Sequence, residues 1–315
     1  MPRYRILTWQ VHGNYLYYLT QAPHDFYVLS KPDRPAGYGG RYGHLPWGDN
    51  VHDCPVEEAR ERRFDCVLFQ AKSHYLEDQY QILSAAQRAL PRIYLEHDPP
   101  QEHPTDTRHF VDDPGTLLVH VTRFNDLMWD SGRTPTCVIE HGVVVSENVA
   151  YSGELARGIV VVNHLARRGR RLGADVFEQV RECVSLDLVG MAAEEMGGIG
   201  EVRYPELIRF EARYRFFFNP IRYTSLGLAV CEAMMVGMPV VALATTEMAT
   251  VIDNDVNGYT DTNVEQLIGV MQSLLHDAAL ARYLGKGARH YAEERFNIHR
   301  FINEWNRAFD HVCRL

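Results

Sequence analysis

The sequence predicts a parallel α/β protein in two domains, and three observations carry that prediction. Short apolar runs alternate with helical patterns from one end of the chain to the other, as they do where strands are joined by crossover helices. The chain has 315 residues, 46% of them hydrophobic; at ~100–200 residues per domain such a length suits two cores rather than one. A polar stretch between Gly142 and Gly158 interrupts the alternation. The expected division is therefore residues 1–150 and 151–295, with a last helix over 296–315.

Taken in order, Tyr4–Trp9 and Phe26–Leu29 read as the first two strands. The segment Lys31–Pro55 holds four prolines and five glycines, and a loop of that length inside a compact domain is usually functional or mobile. Cys66–Phe69, Ile93–Leu95, Leu117–Val121 and Cys137–Ile139 continue the first domain; Ile159–Val162, Leu186–Val189, Phe216–Phe218 and Val240–Leu243 supply the second. From Arg215 to Ala242 the reading is fullest: a buried strand, a turn broken by Pro220, a helix capped by Thr224 or Ser225 and ended by Gly237, then Pro239 leading into the next strand. At the end of the chain Ile298, Phe301, Ile302, Trp305, Phe309 and Val312 fall on one helical face that needs a surface to cover it.

Composition narrows the function. With 41 acidic and 32 basic side chains the net charge is −9, which argues against a nucleic-acid or anionic-membrane partner. No apolar run approaches the ~18–20 residues of a membrane span, and the start of the chain lacks the ~7–15-residue apolar core of a secretory signal. Six cysteines without a CxxC pair give neither a zinc knuckle nor a disulfide framework, and a reducing cytoplasm is the expected location.

The chemistry concentrates after two strands. A helix that follows a strand presents free backbone amides and a positive dipole end, and Gly227 in its first turn admits a ligand close to the backbone, so the site suits a phosphate. Glu232 lies among Leu228, Ala229, Met235 and Val236, and a carboxylate in apolar surroundings needs a polar partner. It falls on the same side of the helix as Ser225, ~10 Å further along at 1.5 Å per residue. A diphosphate at the helix start and a ribose diol on Glu232 would span that distance; the alternative is an ion pair with a neighbouring arginine. After Ile159–Val162 come Asn163, His164 and then Arg167, Arg168, Arg170 and Arg171. In an acidic chain that run reads either as an anion clamp, since guanidinium forks match phosphate oxygens, or as a solvated face. Histidines 97, 103 and 109 lack the HxxxH or HxH spacing of a metal site, and no metal is expected.

Pro220, Gly227, Glu232-Ala233-Met234, Gly237, Pro239-Val240-Val241 and Asn257-Gly258 together resemble the donor-site signature of retaining GT-B glycosyltransferases, especially family 4 (group 1). The resemblance implies the GT-B fold: two Rossmann-like domains with a cleft between them and a C-terminal helix crossing back to the N-terminal domain. It also implies a UDP or GDP sugar as donor, no cofactor and no metal. Residue by residue, it places Arg168, Arg170 and Arg171 at the donor diphosphate, with Asn163 and His164 where the family has Gly-Arg. Thr224, Ser225, Leu226 and Gly227 fall at the donor-binding turn and Glu232 at the ribose. Gly13 falls on the loop that approaches the phosphates, and His97 near the donor sugar. Arg168, Arg171 and His97 are the expected catalytic residues. Two departures concern the sugar pocket: Thr224 stands where members carry the first of two glutamates, and Glu247 and Thr250 stand where they carry Gly and Glu. The expected activity is transfer of a sugar, with retention, to an acceptor held by the N-terminal domain. The alternatives are a non-catalytic nucleotide-sugar binding subunit and a GT-B-fold epimerase or hydrolase acting on the donor alone.

Overall fold

A computed structural model describes residues 2–41, 45–146, 148–204 and 206–314. The chain forms two compact units, Met1–Gly142 with Ile298–Leu315, and Val143–Asn297. The second unit begins at Val143 rather than at residue 151 because Val145, Val149 and Tyr151 pack with Ile208, Ala212 and Val236. The apolar side chains of that stretch, hidden among polar neighbours in the sequence, belong to the later core.

In the first unit the strands are β1 (Arg5–Thr8), β2 (Asp25–Ser30), β3 (Val51–Pro55), β4 (Cys66–Phe69), β5 (Arg92–Glu96), β6 (Thr116–His120) and β7 (Thr136–Val138). They make one sheet in the order β3-β2-β1-β4-β5-β6-β7, with every pairing parallel. β3 lies inside the segment read as a loop. Its polar His52 and Asp53 and its terminal Pro55 suit an edge strand, where a missing N–H costs no ladder bond. Earlier in that segment, Gly37 bridges to Gln10 and Gly39 to Ser30.

The helix Ile298–Arg314 closes this unit. Trp305 is fully buried and donates its indole N–H to the Tyr15 hydroxyl at 3.2 Å, while Phe309 packs edge-on against His24. Phe301 lies so close to Gly142 that a Cβ there would stand 2.3 Å from the Phe301 Cβ. The apolar stripe thus finds its cover on the first unit, although most of the chain before it belongs to the second.

The second unit has β8 (Leu155–Val161), β9 (Leu186–Val189), β10 (Tyr214–Asn219), β11 (Val240–Leu243) and β12 (Gly258–Asp261), a parallel sheet in the order β12-β11-β10-β8-β9. β10 is buried along its whole length, as expected of a central strand covered on both faces. Phe216 and Phe218 meet Val241, Met271 and Leu274 in the core. β12 escaped the sequence reading because Gly-Tyr-Thr-Asp has no apolar run; as an edge strand it needs none. Among the described residues no helix is long and apolar enough to cross a membrane.

Candidate functional site

Two loops leave the carboxyl ends of the adjacent parallel strands β8 and β10, the edge where open α/β sheets take their ligands. The first runs through Asn163 and His164, and His164 adopts a left-handed conformation at φ 53°. The Asn163 side chain accepts the Met191 amide at 2.9 Å and the His164 amide donates to the Met191 carbonyl at 2.7 Å, fixing the turn against the end of β9. The arginines follow. Gly173, at φ 83°, ends the loop, and a Cβ there would stand 2.0 Å from the Pro220 carbonyl oxygen. Only glycine allows this approach, which brings the arginine loop against the turn after β10. Further stitches are the Arg222 and Tyr223 amides, which donate to the Arg171 carbonyl at 3.1 and 3.2 Å.

The arginines divide in role. Arg170 bonds Asp175 at 2.5 Å, and Arg222 bonds the same carboxylate at 2.6 and 2.9 Å. Those pairs hold the Asp175 carboxyl below its usual range, Arg222 contributing most and burial opposing. Arg170, expected at the donor diphosphate, is thus engaged with Asp175. The pair is surface-exposed and worth ~0–1 kcal/mol, so an incoming phosphate could exchange with it. By contrast, the Arg171 guanidinium makes no ion pair or hydrogen bond among the described residues, and its charge acts on the neighbouring Tyr223 hydroxyl. Arg168 is half-buried in the same loop.

After β10 the helix Leu228–Val236 begins at Gly227, and neither Thr224 nor Ser225 caps it. The expected cap fails because the chain bends through Thr224 and Ser225 and the helix starts only after them, with Gly227, which has no side chain to cap it, at the N-cap in extended conformation. What results is more useful to a ligand: Ser225 is buried, yet its Oγ has no hydrogen-bond partner among the described residues. Leu226 is also buried, Thr224 is half-buried and Gly227 exposed. At Gly227 an added Cβ would meet nothing within 4 Å, so the protein's own packing does not require the glycine. Burial leaves Glu232 1% exposed.

Glu211 is a residue that sequence reasoning missed. It closes the helix Glu206–Glu211, is fully buried, and neither carboxylate oxygen has a hydrogen-bond partner among the described residues. Burial raises its pKa well above the ordinary 4.5, and the charge of Glu232 adds to the rise. For an acid held above its unfolded value, stability is complete below that value and falls as pH rises toward the folded one, by up to ~1.4 kcal/mol per pH unit. Denaturant unfolding of Glu211→Gln between about pH 5 and pH 8 is expected to lose this slope. An equally steep slope in the variant would mean the carboxyl is not the cause.

In the first unit His97 follows β5, and its ring lies 4.1 Å from that of His12 and 4.9 Å from that of Tyr15, centre to centre. Burial, with His12 and His141 adding to it, lowers its pKa well below the ordinary 6.5. His97 is therefore a neutral imidazole at physiological pH. Gly13 starts the helix Gly13–Leu19 directly after His12; a Cβ there would touch only Leu45 at 3.4 Å and Gln10 at 3.8 Å, ordinary contacts. His109 has a structural duty. It takes the Val111 amide on Nδ1 at 3.1 Å, so its Nε2 carries the hydrogen bonded to Glu96 at 3.0 Å.

The departures at the expected sugar pocket have a physical outcome. Glu247 is buried and bonds Arg295 at 2.6 Å; it also accepts from Thr250 Oγ1 at 3.0 Å. Its carboxylate is thus turned to the helix Ala278–Arg295.

Residues 157–277 match the family of group 1 glycosyl transferases. The sulfoquinovosyl transferase SQD2 of Arabidopsis thaliana is 33% identical over 100 residues, 30% of this chain and 20% of that protein. The chain thus matches about a fifth of the length of that curated relative. Among solved structures, a sucrose-phosphate synthase from Thermosynechococcus elongatus superimposes with a TM-score of 0.71 at 16% identity, over 98% of this chain and 99% of the other. Anabaena HepE in complex with UDP gives 0.67 at 13% identity, over 99% and 100%. A glycosyltransferase from Rickettsia africae gives 0.67 at 13%, over 99% of both chains.

Proposed function

From a group 1 glycosyl transferase match over residues 157–277 carried on a GT-B fold, we propose that the protein transfers a sugar from a nucleoside diphosphate donor to an acceptor, with retention and without a metal. The observation that carries the proposal is the buried Ser225 Oγ before the start of a helix, without a hydrogen-bond partner among the described residues, with Arg171, likewise without an ion-pair partner among them, on the loop stitched to the same turn. A buried hydroxyl that donates to nothing in the protein is satisfied by an anion set there, and helix amides and a guanidinium strengthen such a site. UDP is the first donor nucleotide to test, because Anabaena HepE, which shares the fold, has been solved with UDP and with UDP-glucose; GDP is the second.

In this reading Arg168 and Arg171 neutralise the departing diphosphate, the amides beyond Gly227 and the Ser225 hydroxyl bond its oxygens, and Glu232 accepts from the ribose diol. Neutral His97 orients the sugar. The acceptor oxygen bonds the anomeric carbon, the bond from that carbon to the phosphate oxygen breaks, and the acceptor proton passes to a phosphate oxygen of the leaving group. The protein's part is positioning and charge stabilisation, since the nucleophile and its base come from the substrates.

A panel of UDP- and GDP-sugars, incubated with and without mixed acceptors, tests the proposal by its products. Transfer is the expected result. Donor turnover without an acceptor would favour an epimerase or hydrolase, and tight binding without turnover a binding subunit, toward which Thr224 and the tied Glu247 point. If calorimetry showed neither UDP nor GDP binding at millimolar concentration, the site assignment would be wrong. Gly227→Ala sharpens that assignment. It should cost less than about 1 kcal/mol of stability, since its Cβ has open space, while weakening UDP binding by crowding the phosphate.

A further inference from the structure

Gln70 follows β4, is buried, and is held by both hydrogens of its amide: Nε2 donates to Thr8 Oγ1 at 2.9 Å and to the Trp9 carbonyl at 2.7 Å. Thr8 in turn donates to the Leu68 carbonyl at 3.0 Å, so its oxygen is free to accept. Two acceptors on one side fix the amide, because a flipped Gln70 would set its carbonyl oxygen against the Trp9 carbonyl. Gln70 Oε1 therefore points at His97 Nε2, 3.3 Å away. An amide oxygen can only accept, so Nε2 must carry the hydrogen. In a neutral ring that leaves Nδ1 as a lone pair. His97 makes no other hydrogen bond among the described residues, and the residue is part-exposed.

We infer that Gln70 is a positioning residue that locks His97 as the Nε2–H tautomer, so that its open Nδ1 accepts a hydroxyl of the donor sugar. The inference rests on the proposed function for its ligand, but the tautomer itself does not depend on any substrate. A histidine free to exchange tautomers would present Nδ1–H part of the time and repel a hydroxyl that needs to donate. His12, Tyr15 and His141 face the same ring from the neighbouring segments. None of the contacts between them and His97 is a hydrogen bond, so among the described residues Gln70 is the group that fixes the tautomer.

Long-range 15N–1H spectra of the 315-residue chain at neutral pH, with His97 assigned by comparison with His97→Gln, read the tautomer directly. The wild type should show Nε2–H, and Gln70→Met, of similar length but without the acceptor, should move His97 toward a mixture while the other histidine signals stay in place. With UDP-glucose as probe, Gln70→Met should weaken donor binding ~5–10-fold, the worth of one neutral hydrogen bond, and leave UDP affinity unchanged. A wild-type Nδ1–H spectrum overturns the inference without any variant. An unmoved spectrum in Gln70→Met overturns it also. A moved spectrum with unchanged UDP-glucose affinity removes His97 from the sugar, and the role of Gln70 with it, while unchanged UDP binding would leave the nucleotide site standing.

Discussion

Arg295→Met is expected to cost the unit Val143–Asn297 about 3–5 kcal/mol, because it strips the partner from a buried carboxylate. The Glu247 side chain is 3% exposed and that of Arg295 18%. Arg295 also donates to the Thr250 carbonyl at 3.0 Å, and the Tyr291 hydroxyl reaches the same oxygen at 2.9 Å. Loss of the guanidinium thus leaves one charge unpaired and loosens the turn after β11. Denaturant unfolding would measure the loss. The double variant Arg295→Met with Glu247→Gln should regain much of it, since the charge goes with its partner. A cost under about 1 kcal/mol for the single variant would mean water reaches Glu247 and the pair is not buried in solution. The result bears on function as well, since a carboxylate committed to holding a loop is not available to a donor sugar.

How far the sequence could be read depended on whether a signal was local. The β10–helix–β11 unit was legible because Phe216–Phe218, Gly237 and Pro239 each act on their immediate neighbours, and Gly237 does end the helix at φ 96°. The terminal stripe was legible for the same reason. β3 and β12 were not, since edge strands satisfy one ladder only and tolerate His52, Asp53 or Thr260. At the site, the charge of Arg170 could be read but not its commitment, which depends on Arg222 meeting Asp175 from 47 residues away. Glu211 reads as an ordinary charge at a helix end; only the packing of other elements buries it. Gln70 belongs to no motif, and its orientation follows from Thr8 and Trp9, more than 60 residues earlier. Motifs therefore located the two loops, and tertiary contacts decided which of their side chains are free.

Glu232→Ala is expected to weaken binding of UDP or GDP by ~1.5–3 kcal/mol, the usual worth of a hydrogen bond to a charged group, or roughly 10–150-fold in Kd. The helix Leu228–Val236, which begins just after the Ser225 turn, carries the buried Glu232; in the proposed reading the ribose of a nucleotide whose diphosphate sits at the helix start would meet this carboxylate. Position 224 makes the complementary test. A threonine there supplies no carboxylate for the sugar, so nucleotide and sugar recognition should separate: Thr224→Glu should leave nucleotide affinity nearly intact and alter which donor sugar is accepted. The control is Glu232→Gln, which keeps an acceptor but removes the charge that acts on Glu211. It should lose less affinity than Glu232→Ala, and its stability should fall less with rising pH because Glu211 then ionises beside a neutral neighbour. Calorimetry on all three variants with UDP, GDP and their glucose conjugates decides the matter. If Glu232→Ala binds both nucleotides as tightly as the wild type, the carboxylate serves only the packing between the two helices, and the donor site must be sought elsewhere in the molecule.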